Sequence, residues 1–168
     1  MTDKRDYLPY YTLSRDTMKV HWLALLFIVG LALTIPAVSA KIIEEKDGYT
    51  VSTVENAPSR FTDLSALTSY SITQGQTNWF TTSVPSGATR FFSDLKWGNP
   101  ANSLALTIYT PDVSVLGPYY DSADGLIDGR VYLMVTRSGG LPSGTWSSKV
   151  YGSSVTGTQT YSYSASGY

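Results

Sequence analysis

Residues 130–137 read Arg130-Val131-Tyr132-Leu133-Met134-Val135-Thr136-Arg137, and this stretch decides the fold class. Val131, Leu133 and Val135 occupy alternate positions, so in an extended chain they share one face and their polar neighbours the other. Leu104-Ala105-Leu106-Thr107-Ile108-Tyr109 repeats the pattern, with Leu104, Leu106 and Ile108 in the stripe. Residues 145–151 alternate more weakly, with Trp146 and Val150 on one side. Residues 78–84 and 90–97 read as two more strands, and Thr160-Tyr161-Ser162-Tyr163-Ser164 reads as a closing one.

Turn clusters separate these runs: Pro85-Ser86-Gly87, Gly98-Asn99-Pro100, Thr110-Pro111-Asp112, Ser138-Gly139-Gly140 and Pro142-Ser143-Gly144. Each supplies the fixed φ of proline or the positive φ that glycine tolerates. No segment beyond residue 40 sustains a helical period. About seven short strands punctuated in this way predict an all-β, antiparallel β-sandwich of jelly-roll-like form. The sandwich is expected over residues 71–168, preceded by an extension or first strand over residues 41–70. In that extension Asp47-Gly48 is a tight-turn pair following the charged Glu44-Glu45-Lys46. Tyr49-Thr50-Val51-Ser52-Thr53-Val54 is a strand, and residues 61–70 are ambiguous, with one short helical turn as a reading.

A hydrophobic N-terminal helix is expected upstream. Met18-Lys19-Val20-His21 is a short basic start, an apolar run extends from Trp22 to Ile35, and Pro36-Ala37-Val38-Ser39-Ala40 follows. That sequence of charged, apolar and small residues describes a secretory signal over residues 18–40, cleaved between Ala40 and Lys41. A spanning helix needs about 20 apolar residues, and proline interrupts this run earlier. The alternative is a retained signal anchor continuing through Pro36, with the domain outside the membrane. Residues 1–17 form a polar preface, read either as lying upstream of a true start at Met18 or as a cytoplasmic tail.

The composition excludes whole classes of chemistry. The chain has 168 residues, a net charge of -1, one histidine and no cysteine. No basic field collects on a phosphate backbone, so nucleic acid is not an expected partner. The histidine is His21, inside the leader, so the exported part has neither imidazole nor thiol. Ser-His-Asp and Cys-His nucleophiles, and zinc sites built on those ligands, are thereby absent from it. Its carboxylates sit mostly beside Gly, Ser or Pro, as turn residues do. The expectation is a protein that binds or holds rather than one that turns over a substrate.

Several pieces then carry a family likeness. Trp79-Phe80 is followed by Val84-Pro85-Ser86-Gly87-Ala88 and Asp94-Leu95. Next come Asn102-Ser103-Leu104-Ala105-Leu106-Thr107-Ile108-Tyr109-Thr110-Pro111-Asp112, Pro142-Ser143-Gly144-Thr145-Trp146 and Val150-Tyr151-Gly152. In this order they resemble the pre-peptidase C-terminal domain, a non-catalytic β-sandwich found beside secreted bacterial and archaeal peptidases and on surface proteins. The likeness spans residues 74–163. It implies an exported module standing alone on or outside the cell envelope, as in some archaeal surface proteins. Some members bind calcium through acidic loops, but Asn102 and Ala105 replace acidic residues of the family strand here. Val113 stands where the family's turn glycine would follow Pro111-Asp112.

Three candidate sites follow from the residues. The loop Asp121-Ser122-Ala123-Asp124-Gly125-Leu126-Ile127-Asp128-Gly129 carries three carboxylates that could ligate calcium, a hard cation wanting six to eight oxygens. The competing reading is a long turn in which aspartates cap backbone N–H groups. Trp97, Tyr119 and Tyr120 could form an aromatic platform for a glycan, with packing the competing reading for Trp97, while Trp79 and Trp146 read as packing residues. The uncharged tail from Ser153 to Tyr168 reads as an edge strand through which copies could associate. The expected partners are an envelope or extracellular protein, or a glycan. Two other roles are an accessory to a separately encoded secreted hydrolase and an anchored subunit of a surface filament or layer.

Overall fold

A computed structural model of the chain describes residues 40–54 and 68–168. The polar preface, the expected leader up to residue 39 and residues 61–67 of the expected helical turn lie outside the described residues.

Among the described residues the protein is all-β, and its only helical element is a 3₁₀ turn over Asp121–Asp124. Ten strands follow in order: β1 Ile42–Lys46, β2 Tyr49–Thr53, β3 Ser69–Thr73, β4 Thr77–Val84, β5 Arg90–Lys96, β6 Ser103–Tyr109, β7 Val115–Tyr119, β8 Arg130–Arg137, β9 Gly144–Ser154 and β10 Thr158–Gly167. They form two antiparallel sheets, one of six strands in the order β1-β2-β8-β5-β10-β3 and one of four in the order β4-β9-β6-β7.

The stripes read from the sequence face each other across the gap between the sheets. Val131, Leu133 and Val135 of β8, and Leu104, Leu106 and Ile108 of β6, are all buried in one core. Trp146 of β9 is fully enclosed, stacked 4.6 Å from Phe91 of β5 and edge-on to Tyr49 of β2. It therefore joins the two sheets at the centre of the core, and its expected packing role holds. Tyr49 and Val51 reach the same core, which makes β2 an integral strand, paired with β8. The Asp47-Gly48 turn between β1 and β2 has φ of 52° and 80°, the two positive values of a tight hairpin turn.

Two expectations need correction. The C-terminal strand is not a free edge. Thr158–Ser162 pair with β3 and Ser162–Gly167 with β5, while Tyr168 exchanges backbone hydrogen bonds with Arg90. The tail's Tyr161 and Tyr163 are buried, and that apolar face draws it between two strands. The sheet edges are instead β1, β3, β4 and β7. Secondly, β1 runs through Glu44-Glu45-Lys46, which the sequence presents as a charged patch. As an edge strand it keeps Glu45 and Lys46 exposed, while Glu44 is half-buried and accepts from the Tyr119 hydroxyl and Gly117 N–H.

Candidate functional site

On a strand whose even-numbered residues face the core, the odd-numbered residues face out. In the four-stranded sheet Phe80 and Val84, Trp146 and Val150, and the Leu104–Ile108 stripe all point inward. The register then sets Trp79 beside Lys149 and Thr107, and Thr77 beside Tyr151 and Ala105. It sets Thr81 beside Ser147, Tyr109 and Val115. These side chains share the outer face.

That face carries a groove of about 370 Å³ lined by Ala105, Thr107, Tyr109, Val115, Gly117, Pro118, Tyr120, Lys149 and Tyr151. Ala105 and Thr107 are buried and small, so they make a low floor between taller rings. Trp79 stands at the margin with its ring centroid 5.3 Å from that of Tyr109, although β9 separates their strands. Trp79 is 56% exposed, Tyr120 40% and Tyr151 36%. Solvated aromatic faces on a rigid sheet are costly to keep unless something covers them. Among the described residues the lining supplies one cation, Lys149, and the Thr107 hydroxyl, and no carboxylate, imidazole or thiol. Such a surface can stack against flat apolar faces and donate hydrogen bonds at their rims.

The residues proposed from sequence distribute differently. Tyr120 is in the groove. Trp97 is not an exposed platform: it is 7% exposed, and its indole N–H donates to the carbonyl of Asn102 at 3.0 Å. Asn102 donates in turn to Gln159, which donates to the Trp97 carbonyl, closing a buried polar ring around the tryptophan. Tyr119 is also buried; its hydroxyl donates to Glu44 of β1, and burial together with that carboxylate pushes its pKa upward. Trp79, read as packing, is instead 56% exposed, outside the groove lining but against Tyr109 at its margin.

The acidic loop behaves as a braced turn. Asp121 is buried, and its carboxylate accepts the backbone N–H groups of Asp128 at 3.2 Å, Gly129 at 3.0 Å and Arg130 at 3.1 Å. Asp124 accepts from Leu126 N–H, and Gly125, with φ of 95°, ends the 3₁₀ turn. Asp128 is exposed. Among the described residues no three acidic or histidine side chains gather as a cation would need. Gly129 must be glycine, because a Cβ there would lie 2.7 Å from the Gly98 nitrogen, and its carbonyl accepts from Trp97 and Gly98 N–H.

A larger cleft of about 540 Å³ opens on the six-stranded sheet beside Lys96, Trp97 and Arg130. Its one carboxylate among the described residues, Asp94, is buried and gripped by Arg130 through Nε at 2.8 Å and Nη2 at 2.9 Å. That fork raises the Arg130 pKa and leaves Asp94 committed to structure. The aromatic groove is therefore the better candidate.

No protein-family model matches the chain. It is similar to an uncharacterized protein of Archaeoglobus fulgidus, with 49% identity over 43 residues. That match covers 26% of this chain and 59% of the relative, so the chain spans less than two thirds of the protein it matches.

Proposed function

We propose that this protein is an exported, non-catalytic binding module that holds a glycan chain in the aromatic groove of its four-stranded sheet. The observation that carries the reading is the grouping of Trp79, Tyr109, Tyr120 and Tyr151 around Lys149 on one outer face. Pyranose rings present flat C–H faces that stack on aromatic rings and hydroxyls that take donors such as lysine. The groove is open rather than enclosed, as suits a segment of a longer chain.

In finer terms the fold is read as a jelly-roll-like sandwich of the pre-peptidase C-terminal kind. Val113 supports this: its φ of 63° is the conformation that the family's turn glycine would take at that position. Lys41 supports export with cleavage after Ala40. Its N–H donates to Thr53 Oγ1 and its carbonyl accepts Thr53 N–H, so the sheet begins just beyond the proposed cut. The location is the cell surface or its exterior.

Binding of the exported protein to an array of envelope and extracellular polysaccharides tests the reading. Trp79→Ala should weaken the best signal by about 2 kcal/mol, roughly 30-fold in Kd. No binding by folded protein to any glycan would remove the proposal.

A further inference from the structure

The four sheet edges are not defended alike. An exposed edge offers unpaired backbone N–H and C=O groups to any other strand, and proteins blunt edges with charge, proline, bulges or short length. Edge strand β1 carries Glu44, Glu45 and Lys46 and a register shift between Ile42 and Glu44. Edge strand β7 has five residues, includes Pro118, and pairs with β6 through another irregularity. Edge strand β3 has five residues. Only β4 has none of these devices. It is eight residues long, Thr77-Asn78-Trp79-Phe80-Thr81-Thr82-Ser83-Val84, with no charge and no proline. Its register with β9 is unbroken from Thr77 opposite Tyr151 to Val84 opposite Gly144. Among the described strands it pairs on that side alone.

We infer that β4 is a self-association edge, and that its partner is β4 of a second copy, paired antiparallel about a twofold axis. A twofold contact uses the same patch on both subunits, so each edge must complement itself. The outward side chains Thr77, Trp79, Thr81 and Ser83 are exposed, uncharged and free of like-charge conflict when the strand meets its own reverse. Facing Thr and Ser hydroxyls stabilise antiparallel pairs, and each Trp79 ring leans over β9 toward Tyr109, away from the seam. The product is one continuous eight-stranded sheet in which both outer faces lie on the same side. The inference goes beyond the glycan reading and does not depend on it; if both hold, the two grooves lie on one surface and bind with avidity.

The test uses the full chain, expressed with its leader and purified from the exported fraction. Sedimentation equilibrium is measured across a concentration series, and hydrogen exchange locates the protected amides. The expected result is a dimer whose formation protects amides of Trp79–Ser83. Thr81→Lys and Ser83→Lys should each abolish the dimer while leaving the melting temperature of the monomer in place, because both side chains already face water. A monomer at every concentration would overturn the inference. So would a dimer that leaves β4 exchange unchanged and protects another edge.

Discussion

Replacing Asp121 by alanine removes one acceptor and strands three donors. The Gly129 N–H lies in the interior, and leaving a buried donor without a partner costs about 1–3 kcal/mol. The N–H groups of Asp128 and Arg130 are part-buried, so water recovers some of their loss and each adds about 0.5–1 kcal/mol. The expected cost is about 3–4 kcal/mol, or roughly ten to fifteen degrees in melting temperature for a domain of this size. Asp121→Asn separates charge from geometry. Three of the four contacts converge on Oδ1, which an amide oxygen can reproduce, but an amide nitrogen at the Oδ2 position would face the Gly129 donor. Its cost should be about 1–2 kcal/mol. Asp124→Ala removes a single exposed bond and should cost under about 1 kcal/mol. Urea unfolding followed by circular dichroism measures all three. If Asp121→Ala lies within about 0.5 kcal/mol of the parent, the carboxylate does not brace the loop and the reasoning fails.

Other expectations follow from the same structure. Val113 is 90% exposed with φ of 63°, so Val113→Gly should raise stability by about 1 kcal/mol in the same assay, relieving β-branched strain. Arg130→Ala would leave the Asp94 carboxylate buried without its cation and should cost about 2–3 kcal/mol, of which Arg130→Lys recovers only part because it lacks the fork. The Asp112 pKa is lowered, first by the Thr110 hydroxyl and then by Tyr49 and Arg137. Its charged form therefore favours the fold; that contribution is present above the ordinary carboxylate range near about pH 4 and disappears as pH falls through the lower folded value. Asp112→Asn should flatten the acid limb of a melting-temperature profile. At the other end, burial pushes the Tyr163 pKa up to about 12, so the neutral phenol favours the fold. That contribution is complete below about pH 10 and lost as pH rises toward the folded value, and Tyr163→Phe should move the alkaline midpoint upward.

The core was legible because its stripes are long and apolar: residues 104–109 and 130–137 alternate without interruption, the first lying within β6, Ser103–Tyr109, and the second coinciding with β8, Arg130–Arg137. The groove was written in the same stripes, in the alternate register. Once Phe80 and Val84 face inward, Trp79 must face out; once Phe91 and Leu95 face inward, Trp97 must join them. Residue type alone points Trp79 inward and leaves Trp97 open between platform and packing, whereas parity with the neighbouring strand residues places Trp79 outside and Trp97 within. Strand β7 was hidden for a different reason. Val115-Leu116-Gly117-Pro118-Tyr119 carries two residues that usually end strands, and only the pairing with β6 makes it one. The burial of the C-terminal strand is a tertiary outcome. Its Ser-Thr-Tyr composition suits an exposed edge, but Tyr161 and Tyr163 find Phe80 and Tyr70 beneath them.

Backbone amide chemical shifts, followed while the best-binding glycan from the array is added to isotope-labelled protein, test the central claim most directly. The groove account predicts that the largest changes cluster at Trp79, Thr107, Tyr109, Lys149 and Tyr151, and that they vanish in Trp79→Ala. Changes centred instead on Lys96, Trp97 and Arg130 of the six-stranded sheet would contradict it.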